Sequence, residues 1–201
     1  MRIGIYGGTF DPVHMGHLVL AEQCREQCQL DEIWFVPAGQ PPHKSETPIS
    51  PAAQRVELLE LALAGHPVFR LERLELNRTG PSFTVDTLQQ LHELHPNNEL
   101  FLLMGADSVH DFPSWREPAR ILQLATIVAV NRGDHSPCDF TEIERLWGTA
   151  TAKNCLSVEM PGLDISSSDL RHRVRSGHSI RYLVPRSVEV YIEQHKLYRS
   201  H

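Results

Sequence analysis

The stretch Arg2-Ile3-Gly4-Ile5-Tyr6-Gly7-Gly8-Thr9-Phe10-Asp11-Pro12-Val13-His14-Met15-Gly16-His17 contains three structural signals in succession. Arg2–Tyr6 is a short apolar run, of the kind a strand buried on both faces of a parallel sheet shows. Gly7 and Gly8 interrupt it, and a glycine pair lets backbone approach a ligand closely and adopt positive φ. A helix is expected to begin around Val13 to Gly16. Its first N–H groups lack intrahelical partners, which makes a natural anion site.

The same alternation continues outward from this stretch. Further strand-like runs are Glu32–Pro37, Val68–Leu71, Leu100–Met104, Thr126–Asn131 and Leu156–Met160. Helix-like runs are Gly16–Gln27, Pro51–Ala64, Ser82–Leu94, Glu117–Leu124, Thr141–Trp147, Ser167–Ser176 and Pro185–His195. Ser50-Pro51 reads as a cap followed by proline at the first helical position, and Thr141 with Glu144 as a capping box. Alternating strands and helices predict an α/β, doubly wound, Rossmann-like fold with a mostly parallel sheet and helices on both faces. In such sheets ligands lie at the carboxyl ends of the strands, so the loops after strands are where chemistry is expected.

The 201 residues suit one domain with a core large enough to need no staples, and a small helical extension is expected over about 177–201. The formal charge of −6 argues against a general nucleic-acid binder, so any phosphate site must carry its positive charge locally. No run reaches the roughly 18 to 20 apolar residues of a membrane helix. The N-terminus lacks a signal-peptide pattern, so a cytoplasmic location is expected. Cys24, Cys28, Cys138 and Cys155 form no C-x-x-C pair and read as reduced thiols, with Cys24 and Cys28 buried or half-buried on a helix. The twelve histidines include no zinc-ligand spacing, and no protein metal ligand is expected.

Two loops carry the chemistry. His14 and His17, three apart, share one face of a first helical turn, where two imidazoles can donate to phosphate oxygens. Near the other end, Asp164-Ile165-Ser166-Ser167-Ser168-Asp169-Leu170-Arg171 follows the last strand and opens a helix. Serines there cap the helix, and Arg171 lies one turn in, beside Ser167, with a planar fork suited to phosphate.

Gly7-Gly8-Thr9-Phe10-Asp11-Pro12-x-His14-x-Gly16-His17 resembles the signature of the nucleotidylyltransferase α/β phosphodiesterase superfamily. The Ile165–Arg171 segment resembles its I-S-S-T-x-[IL]-R motif, with Ser168 in place of the usual threonine. The resemblance extends over essentially the whole chain and implies a single nucleotidylyltransferase domain. Four further segments narrow it: Pro37-Ala38-Gly39-Gln40-Pro41-Pro42-His43-Lys44, Ser82–Leu88, Gly105-Ala106-Asp107-Ser108, and Phe112-x-x-Trp115. Together they resemble the bacterial nicotinate-nucleotide adenylyltransferase family, with Phe83 where members commonly have tyrosine.

The resemblance implies transfer of the adenylyl group of ATP to nicotinate mononucleotide, with a substrate-bridged Mg²⁺. It implies catalytic roles for His17, His14 and Lys44. For ATP it implies Gly7, Gly8, Thr9, Phe10, Gly105, Asp107, Arg132, Ile165, Ser167 and Arg171 beside the two histidines. For the nicotinate nucleotide it implies Thr9, Lys44, Thr84 and Trp115. A sister enzyme for phosphopantetheine or a cytidylyl group fits the Pro41–Lys44 loop and Trp115 less well. A non-catalytic nucleotide sensor would not require His14, His17, Lys44 and Arg171 together. A synthetase relative that binds tRNA would want a Lys-Met-Ser-Lys-Ser loop and a basic face, and the sequence has neither.

Overall fold

In the computed structural model of the chain, residues 1–41, 49–133 and 138–199 are described. Six strands form one sheet: β1 (Arg2–Gly8), β2 (Glu32–Pro37), β3 (Phe69–Leu71), β4 (Glu99–Gly105), β5 (Ala125–Arg132) and β6 (Leu156–Met160). Their order is β3-β2-β1-β4-β5-β6 and every pairing is parallel. Parallel neighbours need crossover connections, and helices provide them. The described helices are α1 (Met15–Gln27), α2 (Ala52–Leu63), α3 (Thr84–Leu94), α4 (Ala106–Asp111), α5 (Pro118–Leu124), α6 (Thr141–Trp147), α7 (Thr149–Lys153), α8 (Ser167–Arg175) and α9 (Arg186–Gln194).

The sheet has two apolar cores because successive strand residues point to opposite faces. Phe101 and Leu103 of β4 join Leu20, Leu58, Leu170 and Val188 on the face covered by α1, α2, α8 and α9. Leu100, Leu102 and Met104 join Leu88, Ile121 and Ile143 on the face covered by α3, α5 and α6. The doubly wound expectation is met in full. Cys24 and Cys28 are both buried against the first core, where burial raises both thiol pKa values.

Some local expectations fail. Gly7 and Gly8 do not take positive φ; they continue β1, and the left-handed residue is Phe10, at φ 50°. Gly8 is small for another reason: a Cβ there would meet the Phe10 ring at 2.8 Å. Pro51 occupies the cap of α2 rather than its first turn, and the Ser50 N–H bonds to Asp11 Oδ2 (3.1 Å). The Thr141–Glu144 capping box does not form. Phe140 is the cap, Asp139 accepts from the Thr141 N–H (2.8 Å), and Glu144 accepts from the Thr149 hydroxyl (2.6 Å). Helices α4 and α7 were not anticipated; at six and five residues they are too short to show periodicity. No helix among the described residues is long and apolar enough to cross a membrane.

Candidate active site

Strand order reverses at β1, with β2 on one side and β4 on the other. Pairing between β1 and β4 stops at Ile5–Leu102. Beyond that point a cavity of about 280 Å³ opens at the carboxyl ends of the strands. Gly7, Gly8, Gly105, Asp107, Thr84 and Trp115 all line it. Six residues singled out from sequence, drawn from four separate segments, thus meet at the switch point where a doubly wound sheet binds ligands. Thr84 is the first residue of α3, so its amide lies among the N–H groups that face an anion. Asp107 is exposed in the first turn of α4. Trp115 is half-buried, its ring 5.7 Å from that of Phe112.

The two signature loops converge beside this cavity. The Ser167 hydroxyl donates to the Pro12 carbonyl (2.9 Å), and Arg171 Nη1 donates to the Asp11 carbonyl (2.7 Å). Arg171 Nη2 also reaches Ser168 Oγ (3.3 Å), a contact that keeps the hydroxyl of the usual threonine in use. Ser166 caps α8, accepting from the Asp169 N–H (3.1 Å). The amides of Ser167 and Ser168 therefore open the helix without intrahelical partners. Ile165 is buried in the core, so only its backbone can face a ligand.

His14 caps α1, and its imidazole stacks on that of His17 with centroids 3.6 Å apart. The His14 backbone N–H donates to His17 Nδ1 (3.2 Å). A neutral imidazole accepting at Nδ1 carries its proton on Nε2. The fold therefore makes His17 Nε2 a hydrogen-bond donor. Phe10 is buried beneath it, ring centroids 5.1 Å apart, and Tyr6, which lines the cavity, stands 6.0 Å from the His17 ring. The Phe10 side chain is thus a support for His17 and offers a ligand its backbone alone. Lys44 lies outside the described residues, as does the side chain of Arg132, whose backbone ends β5.

Arg55, which the sequence reading passed over, holds the loops together. It is 2% exposed. Its Nε, Nη1 and Nη2 donate to the carbonyls of Ser50 (3.1 Å), Thr9 (2.9 Å) and Ala38 (2.8 Å). Burial lowers its pKa, and the nearby Asp11 opposes that shift. Asp11 is itself 3% exposed and accepts from the Tyr198 hydroxyl (2.6 Å). Burial first, then Asp11, pushes the Tyr198 pKa up, so it remains a donor. Arg55 shares a helix face with Leu58, Leu59 and Leu63, which are all buried. An arginine on an apolar face was the available signal.

Comparison with known proteins places this arrangement. A family model described as cytidylyltransferase-like matches residues 5–173. A probable nicotinate-nucleotide adenylyltransferase of Thermomicrobium roseum is 45% identical over 99% of this chain and 92% of its own. One from Thermus thermophilus is also 45% identical, over 99% of this chain and all of its own. The chain belongs to the nicotinate-nucleotide adenylyltransferase family. Among solved structures, the Plasmodium falciparum nicotinic acid mononucleotide adenylyltransferase complexed with NaAD superposes with a TM-score of 0.76 at 22% identity, covering 98% and 97% of the two chains. That likeness is one of fold. In this member of the nicotinate-nucleotide adenylyltransferase family, Phe83 lies under the Arg116 guanidinium, 4.7 Å from its ring centroid.

Proposed function

We propose that this chain transfers the adenylyl group of ATP to nicotinate mononucleotide, releasing pyrophosphate and forming nicotinate adenine dinucleotide for NAD biosynthesis. One coincidence carries the reading. Full-length kinship with nicotinate-nucleotide adenylyltransferases coincides with a switch-point cavity beside the convergent histidine and serine–arginine loops.

In the proposed mechanism, the acceptor phosphate attacks the α-phosphorus of ATP in line. It is already an anion, so the protein need supply neither a nucleophile nor a strong base. Catalysis is positioning and charge stabilisation. His17 Nε2–H would donate to the α-phosphate as charge shifts, and His14 would contact the phosphate chain. Lys44 would meet the acceptor phosphate or the triphosphate. The Ser167 and Ser168 amides and the Arg171 fork would hold the β- and γ-phosphates. Among the described residues, two of the five Arg171 N–H groups are engaged within the protein, an arrangement that fixes the fork in place.

Gly7, Gly8, Thr9, Gly105, Asp107, Arg132 and the backbone of Phe10 and Ile165 complete the proposed ATP site. Asp107 is suited to accept from ribose hydroxyls. Thr84, at the start of α3, and Trp115 would hold the nicotinate ring, and Thr9 and Lys44 would contact the rest of the nicotinate nucleotide. The described residues contain no cluster of three or more candidate metal ligands. Mg²⁺, if held by substrate phosphate oxygens and water as its hydration preference suggests, would supply neutralisation of the phosphate charge. On the same reading the whole chain is a single nucleotidylyltransferase domain working in the cytoplasm.

The test is pyrophosphate release with ATP and Mg²⁺, comparing nicotinate mononucleotide, nicotinamide mononucleotide and phosphopantetheine. Strong preference for the first is expected. Turnover with phosphopantetheine alone would overturn the acceptor assignment while leaving adenylyl transfer in place.

A further inference from the structure

One buried carboxylate in the cavity wall has no part in this mechanism. Glu75 is 7% exposed and lines the cavity alongside Ser82, Thr84 and Thr87. The Thr87 hydroxyl donates to Glu75 Oε1 (2.6 Å). Ser82 Oγ accepts from the N–H groups of Gly39 (3.0 Å) and Gln40 (3.2 Å), which uses both of its lone pairs. Ser82 and Glu75 line the same wall, and the Ser82 hydroxyl is close enough to the carboxylate to favour its ionised form. The backbones are equally close: a Cβ on Gly39 would lie 2.5 Å from the Glu75 carbonyl oxygen. Glu75 thus links the loop after β2 to the first turn of α3 through Ser82 and Thr87.

We infer that Glu75 is a positioning residue of the acceptor pocket, whose carboxylate, bonded to Thr87 and set beside Ser82, holds the Ser82–Thr87 wall and the Gly39–Gln40 backbone in register. The assignment to the acceptor rests on the function proposed above. Only the ionised carboxylate accepts at both oxygens without also donating. Protonation would place a donor against Ser82 or Thr87 and release one of them. Burial raises the Glu75 pKa, outweighing Thr87, Ser82 and Arg78, which lower it. Arg78 itself reaches Thr87 Oγ1 (3.3 Å). Among the described residues, Tyr6 and Asp107 are the other ionisable residues lining the cavity.

Glu75→Gln supplies the control. Its single amide oxygen can replace only one of the two carboxylate acceptors, whichever way the amide turns, so one acceptor is lost at every pH. At pH 8 the variant is expected to raise KM for nicotinate mononucleotide about tenfold, with KM for ATP within twofold. That ratio of variant to wild type should fall as the pH is lowered and the wild-type carboxylate, its pKa raised by burial, takes up a proton. Titration of the substrate phosphate is common to both proteins and cancels. Ser82→Ala should raise the same KM, and the double variant should be no worse than the poorer single.

An acceptor KM within twofold of wild type in folded Glu75→Gln, a pH-independent ratio, or additive single effects would overturn the role. Amide hydrogen exchange without substrate separates this claim from the choice of acceptor. Exchange at Gly39 and Gln40 should speed up in Glu75→Gln and in Glu75→Asp, and unchanged exchange in both would overturn the inference whichever nucleotide the wild type accepts.

Discussion

At the scale of single residues, the proposed chemistry turns on one proton. The His14 amide fixes His17 with its donor at Nε2, and the stacked rings and the buried Phe10 fix its direction. A donor held in place before reaction is worth most where charge develops, and removing one typically lowers turnover by about 100- to 1000-fold. His17→Ala is therefore expected to lower kcat by that factor while leaving both KM values within a few-fold. Steady-state rates of pyrophosphate release measure this, and near-normal turnover would remove His17 from the role. The pair His14 and His17 was legible in the sequence because its spacing and its place after a glycine turn are unusual together. Glu75 was not. A lone glutamate in the turn after a short strand gives no local sign that the Thr87 hydroxyl of the next helix will close onto it.

At the scale of elements, the loops that carry the site are held more by long-range bonds than by local rules. The capping reading of Ser50-Pro51 fails by one residue, with Pro51 itself as the cap, and the Ser50 amide is tied to Asp11, thirty-nine residues away. The Thr141 reading failed for a similar reason, since nearby side chains took both of its partners. Strands and long helices were legible because periodicity needs several turns or alternations to show, and short α4 and α7 offer too few. Arg55 sums up the difference: one guanidinium joins the loop after β1, the loop after β2 and the entry to α2. Replacing it by methionine keeps the length and the apolar stem but leaves three carbonyls unpaired. Each buried, unpaired group costs about 1–3 kcal/mol. Arg55→Met should thus lower stability by on the order of 3 kcal/mol or more, read as a shift in the denaturant midpoint. Arg55→Lys, with a point charge in place of a fork, should fall between. An unchanged midpoint in Arg55→Met would mean the three bonds are not held in solution.

At the scale of the whole molecule, the sheet order and the position of the cavity follow from alternation and the handed logic of parallel crossovers, which is why the fold could be anticipated from the sequence. The segment after α8 is a different matter. The sequence suggests an extension over about 177–201, yet Ile180, Val184, Val188, Ile192 and Leu197 are all buried in the same core as α1 and α2. Ser187 bonds to the Leu61 carbonyl (2.9 Å), Tyr191 bonds to Glu57, and Tyr198 bonds to Asp11 in the first signature loop. Burying one large aliphatic side chain contributes roughly 1.5–3 kcal/mol, so the five together contribute on the order of 10 kcal/mol as an upper figure. A domain's whole stability is about 5–15 kcal/mol. A chain ended at Gly177 should therefore fail to fold cooperatively, showing no sigmoidal thermal transition. Tyr198→Phe keeps that apolar packing and removes only the bond to Asp11. It should retain the transition and lower the midpoint by a few degrees, while disturbing turnover through Asp11, whose carbonyl holds Arg171. A truncated chain that melts cooperatively near the wild-type temperature would show that the segment is a dispensable appendage, and normal turnover in Tyr198→Phe would disconnect it from the site.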